Sequence, residues 1–328
     1  MVKLSRSLLD ALFLCRPVLL VPVWSFCMFG YLAGRSAGRS AGCAAVQGFS
    51  FVAAWSAPAS VAGWIFVFSL SVGAVYVFNQ IVDRNVDALN TGFALLTKGG
   101  IPVWHAWATA AALSLVSVLI PAVFLPHFAF FSASSLLIGY LYCARPSYFT
   151  GRPVIDFLTN ATGYGIVSFG VGWYLAGGTF GLRFALSSLP YFFMMCAGSI
   201  SSTIPDHAGD SRGGKLTTAV LLGPWRAHLL ATGMLAAAVT CSLVVKDVVA
   251  AACSLCSLPL YVIFLFFRSS RHAMEGTYKG GYLICMLVSF AVYPFLIPAT
   301  LAVFAATVVY FRLRHHVFYP SLLPVSHE

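Results

Sequence analysis

Apolar runs recur along this chain, each ended by a short polar segment, and their lengths decide which elements to expect. A helix needs about 17–25 apolar residues to cross roughly 30 Å of hydrocarbon. Such runs lie at about 17–33, 60–78, 103–124, 127–143, 154–176, 184–203, 225–245, 248–267 and 281–310. The last is long and contains Pro294 and Pro298, which invite a kink or a split. The pattern predicts an all-α fold: a polytopic membrane protein, a single bundle of about nine transmembrane helices. No linker is long enough to define a second domain, so residues 1–328 read as one transmembrane domain.

Composition agrees. The chain is 60% hydrophobic and only 9% charged, against about 25% charged in soluble domains, and its mean hydropathy is +0.89. Lys3 and Arg6 flank the first run without a small-residue cleavage site, which reads as a retained helix. The nine cysteines sit singly or, as Cys253 and Cys256, inside a span, where packing is their expected work. The repeat Gly34–Gly42 reads as a flexible outer linker.

A net charge of +10 raises the question of nucleic acid, but the basic residues are scattered over many loops and form no stripe. Their asymmetry is topological. Lys3, Arg6, Arg16, Arg84, Lys98, Arg145, Arg152, Arg212, Lys215, Arg226, Arg268, Arg271 and Lys279 fall on one side of the predicted topology. Arg35, Arg39, Arg183, Lys246, Arg312 and Arg314 fall on the other. The positive-inside rule makes the richer side, with the N-terminus, cytoplasmic.

Against so few charges, four of the nine acidic residues fall in two patterns, Asn79-x-x-x-Asp83-x-x-x-Asp87 and Asp206-x-x-x-Asp210. Each begins where an apolar run ends, and both lie on the cytoplasmic side. A spacing of four puts such residues on one helical face. Two facing ladders would form a carboxylate cup, costly near lipid unless a cation fills it. Hard oxygen ligands suit Mg²⁺, which is usually held by one or two carboxylates together with substrate phosphates. Arg84, Lys98, Arg145, Arg152, Arg212 and Lys215 lie in the same loops, where a diphosphate would need them. Asp156 and Asn160, one turn apart at the start of the fifth run, are a further candidate pair.

With both patterns and the stretch Ser202–Lys215 in view, the chain resembles the UbiA superfamily of intramembrane prenyltransferases. Tyr140 and Tyr142 through Arg145-Pro146 to Asp156 and Asn160 also look like that family's fourth loop and fifth helix. The resemblance implies Mg²⁺-dependent transfer of an isoprenoid chain from its diphosphate to a lipophilic, aromatic or quinone-precursor acceptor within the membrane lipid. It implies that Asp83, Asp87, Asp206 and Asp210 ligate metal, and that Asn79, Arg84, Lys98, Arg145, Arg212, Lys215, Asp156 and Asn160 bind substrate. Gln80 departs from the pattern, standing where most members have Asp. An intramembrane terpene cyclase shares the ionisation step and is the nearer alternative; a cation transporter is the more distant one.

Overall fold

The computed structural model describes residues 2–37, 59–87 and 95–319, and among these it is helical throughout, without strands. In chain order the long helices are α1 (Val2–Leu14), α2 (Leu20–Ala37), α3 (Ala59–Val82), α4 (Val103–Phe124) and α5 (Pro126–Cys143). Next comes α6, in three pieces: Ile155–Ala161, a π-helical Thr162–Ser168, and Phe169–Leu175. Then follow α7 (Leu182–Thr203), α8 (Pro224–Val245), α9 (Val248–Phe266), α10 (Arg271–Val292) and α11 (Leu296–His315). Most of the Gly34–Gly42 repeat, with Arg39, lies outside the described residues.

Among the described residues, seven segments are long and apolar enough to span a membrane: Leu8–Ala37, α3, α4, α7, α8, α9 and α11. The interrupted α6, α5 and the polar-ended α10 complete the bundle. At the start of α10, Glu275 pairs with Arg271 at 2.7 Å and with Lys279 at 2.6 Å, so its three charges largely offset one another.

The run expected at 281–310 is two helices. Pro294 disfavours helical backbone at the residue before it, and Tyr293 leaves the helix with φ −133° and ψ 77°. The chain then runs back as α11. Its last turns reach α1, where Tyr310 Oη donates to Asp10 Oδ1 at 2.7 Å and Arg314 pairs with Asp10 Oδ2 at 3.2 Å. Phe13 and Tyr310 stack with centroids 3.9 Å apart. The same end of α1 is tied to the end of α3, since Gln80 Nε2 donates to Leu14 O at 2.7 Å. Arg312 and Arg314, expected opposite the acidic patterns, therefore stand at the same end as them. Among the described residues this leaves Arg35, Arg183 and Lys246 at the far end.

Without a strong hydrophobic drive between helices in lipid, small residues and close backbone approach hold the bundle together. A β-carbon on Gly30 of α2 would collide with the Phe169 carbonyl of α6, and one on Gly172 of α6 with the Cys27 carbonyl of α2. Fully buried Phe26, Phe29, Phe169, Trp173 and Tyr191 fill the adjoining core. Cys27, Cys196 and Cys253 are buried there too, free and packed.

Candidate functional site

The hydrogen bonding of α3 runs on past Val82. Asp83 N donates to Asn79 O at 2.9 Å and Asp87 N to Asp83 O at 2.8 Å, so the first pattern stays on one face. The second does likewise despite Pro205 and Gly209. Asp206 precedes the short helix His207–Arg212, and Asp210 N donates to Asp206 O at 2.8 Å. The chain then reverses at Gly214, whose φ of 71° suits a residue without a β-carbon. Lys215 N returns to Asp210 O at 2.9 Å. The reversal carries the Lys215 side chain across to the other pattern. Its Nζ stands 3.3 Å from Asp83 Oδ2, a contact between residues 132 positions apart.

Asn79 Nδ2 donates to that same Oδ2 at 3.0 Å. The other oxygen of Asp83, Oδ1, is buried and has no hydrogen-bond partner among the described residues. Leaving a buried polar group unsatisfied costs about 1–3 kcal/mol, and more when it is charged. A cation at Oδ1 would remove that penalty, and it is the ligand this donor set fits. Among the described residues no three His, Cys, Asp or Glu side chains converge to hold an ion by themselves. That is the arrangement expected for Mg²⁺, which draws its remaining oxygens from water and substrate phosphate.

The electrostatics point the same way. Burial pushes the Asp210 carboxyl up to about 6, with Lys215 opposing and Asp206, Asp83 and Asp87 adding to the rise. Burial also raises Asp87, against the pull of Arg16 and with a push from Asp83. Asp206, exposed at the mouth, is raised as well, chiefly by the surrounding protein and against Lys215. Burial works against the charge of Lys215, but Asp83, Tyr142 and Asp210 outweigh it and hold the ammonium. One lysine does not balance four carboxylates, so the cup favours added positive charge.

The remaining predicted residues divide by position. Arg84, Lys98, Arg145 and Arg212 are exposed, with Arg145 lying 5.4 Å over the Tyr148 ring. Asn160 faces inward and donates to Tyr142 Oη at 3.1 Å and Ser199 Oγ at 3.0 Å. Asp156, expected as a substrate contact, has both carboxylate oxygens hydrogen-bonded within the fold. Thr218 N donates to Oδ2 at 2.6 Å, the Thr218 hydroxyl to Oδ1, and Phe157 N to Oδ1 at 2.8 Å. Asp156 thus clips the segment just after Lys215 onto α6. Of the two tyrosines in the last turn of α5, Tyr142 stands beside the cup and accepts from Asn160, whereas Tyr140 is exposed and stacks on Phe78.

Sequence reading missed Arg16 as a member of the site. It sits in the elbow between α1 and the turn Pro17–Leu19, with φ 49° and ψ 62°, and acts electrostatically on Asp87. Its only sequence signal is its place before Pro17 at the start of the first apolar run. Gln80 also has an explanation. It is 3% exposed and points away from the cup, donating to the carbonyls of Leu14 at 2.7 Å and Tyr76 at 3.0 Å. A carboxylate has no donor for two carbonyls, so Asp could not do this work.

The model of the UbiA prenyltransferase family matches residues 40–279. A UbiA homologue from Archaeoglobus fulgidus bound to GPP and Mg²⁺ is 22% identical, with a TM-score of 0.62 over 86% of this chain and 99% of that one. The apo structure of a UbiA homologue from Aeropyrum pernix K1 is 18% identical, with a TM-score of 0.54 over 87% and 97%. A digeranylgeranylglyceryl phosphate synthase structure is 16% identical, with a TM-score of 0.59 over 88% and 97%. No curated protein sequence matches the chain.

Proposed function

The chain belongs to the UbiA prenyltransferase family, and from that premise we propose that it transfers an isoprenoid chain from its diphosphate to a lipophilic acceptor inside the membrane. The observation that carries this reading is the meeting of two distant acidic patterns around Lys215, with one buried Asp83 oxygen left unpaired. The Archaeoglobus homologue bound to GPP and Mg²⁺ supports the same donor class.

In this reading Asp83 and Asp87 hold one Mg²⁺, Asp206 and Asp210 hold a second, and Asn79 orients the Asp83 carboxylate. When bound, the metal supplies Lewis-acid stabilisation of the charge left on the departing diphosphate. Lys215, already anchored at the centre, offers its remaining donors to phosphate oxygen, and exposed Arg84, Lys98, Arg145 and Arg212 supply further positive charge at the rim. Asp156 holds the Lys215 segment in place through Thr218. Below the cup a narrow cleft lined by Phe26, Met194, Met195, Leu235, Tyr261 and Tyr282 offers the apolar direction for the isoprenoid tail. Its aromatic faces suit a developing cation.

The bond changes are simple. The allylic C–O bond breaks, with its electron pair leaving on diphosphate. A new bond forms between that carbon and the acceptor, whose proton passes to water. The cup end is cytoplasmic, since Arg16, Arg84, Arg145, Arg212, Arg268 and Arg314 collect there and few cations stand opposite.

The test uses purified protein, an isoprenoid diphosphate and Mg²⁺. Asp83→Ala and Asp206→Ala should each abolish Mg²⁺-dependent diphosphate release. Full activity in either variant would refute the two-ion arrangement.

A further inference from the structure

Gly139 lets α5 press closely against α3, since a β-carbon there would collide with the Val75 side chain. The two helices run side by side in the same direction, with Tyr140 stacked on Phe78. One turn beyond Gly139, the register brings Cys143 onto Asn79. Cys143 is the last residue of α5 and has no exposed surface. Asn79 Nδ2 donates to Cys143 Sγ at 3.5 Å and to Asp83 Oδ2 at 3.0 Å, so one amide gathers a sulfur and a carboxylate. Beside them is Asp83 Oδ1, on a residue only 5% exposed and without a hydrogen-bond partner among the described residues. Lys215 Nζ faces the other oxygen at 3.3 Å. The thiol thus sits at the one place in the cup where a buried acceptor lacks a partner.

We propose that Cys143 and Asp83 together bind a thiophilic divalent cation of the Zn²⁺ class, which takes Asp83 from Mg²⁺ and inhibits the protein. Thiolate is a soft ligand that selects such ions, whereas Mg²⁺ is hard and gains nothing from sulfur. Zn²⁺ accepts thiolate sulfur and carboxylate oxygen in one coordination sphere, and here the two are already drawn together by Asn79. As the metal–sulfur bond forms, Cys143 gives its thiol proton to water, and no electron changes hands. Among the described residues no third acid, thiol or imidazole converges on the pair. Water or phosphate oxygen fills the other positions, which keeps the ion exchangeable. The inhibition rests on the prenyl-transfer reading, in which Asp83 serves Mg²⁺; the binding itself does not.

Full-length protein in lipid nanodiscs would be titrated with Co²⁺, a spectroscopic stand-in for Zn²⁺, in the absence of any diphosphate. The parent should develop a saturable thiolate-to-Co²⁺ charge-transfer band that added Zn²⁺ erases. Cys143→Ser and Cys143→Ala, which keep the other eight of the nine cysteines, should lack that band. Asp83→Ala should weaken Co²⁺ binding by at least about tenfold, the scale on which even outer-shell partners act on metal affinity. In a separate assay of Mg²⁺-dependent diphosphate release, the Zn²⁺ concentration for half inhibition should rise by at least about tenfold in Cys143→Ser. No band in the parent, or an equal band in both Cys143 variants, overturns the site. So does a half-inhibition concentration that Cys143→Ser leaves unmoved. A parent protein that shows the band but releases no diphosphate keeps the metal site and loses the prenyl-transfer reading.

Discussion

Asp10 and Asp83 stand at the same end of the bundle, are similarly buried and each meet one cation, yet they are built for different work. Asp10 has a partner for each oxygen, Tyr310 on one and Arg314 on the other. Asp83 gives one oxygen to Lys215 and Asn79 and leaves the other bare. Asp156 sides with Asp10, both oxygens being claimed by Thr218. A satisfied buried carboxylate joins chain segments, while an unsatisfied one waits for a ligand. Burial and charge alone do not separate the two; the partner count does.

Mutation should expose the division. The largest effect belongs to the unsatisfied group: Asp83→Asn should lower the rate of Mg²⁺-dependent diphosphate release by two to three orders of magnitude, on the order of a lost charge stabiliser. Its melting temperature should equal or exceed the parent's, because the variant removes one negative charge from a cup in which a single lysine faces four carboxylates. A clear fall in melting temperature would put Asp83 with the structural acids. Next comes Lys215→Ala, expected to cost about 10²-fold in turnover, measured as kcat with saturating donor.

Asp156→Ala should instead destabilise the fold by about 1–3 kcal/mol, since Thr218 loses its acceptors. Denaturation in detergent should show this loss with kcat reduced far less than in the Lys215 variant. If kcat collapses while stability holds, Asp156 touches substrate after all. Smallest is Gln80→Ala, at about 1 kcal/mol for the lost carbonyl contacts, read in the same denaturation experiment. Gln80→Asp should be worse than Gln80→Ala, because it sets a carboxylate against two carbonyl oxygens.

Much of this was legible in the residues. The i, i+4 spacing of Asn79, Asp83 and Asp87 survives in the structure because α3 continues past its apolar run, and Asp206 and Asp210 keep theirs across one helical turn. The partner of Asp156 was not legible for a physical reason: Thr218 is far along the chain and carries no signature of its own. Arg16 was overlooked because a single arginine before a proline looks like an interface anchor. The tenth bundle helix was hidden inside one long apolar run, where Pro294 marks either a kink or a reversal and local sequence is compatible with both.

Taken alone, then, the order of apolar runs and polar breaks determined an all-helical membrane bundle with two acidic ladders, because helix periodicity and the cost of burying backbone in lipid are local matters. Tertiary structure decided which carboxylates are spent on the fold and which oxygen stays open. It also decided that α11 returns to stand beside α1. Those outcomes depend on contacts between residues from 62 to about 300 positions apart, and no local spacing encodes them.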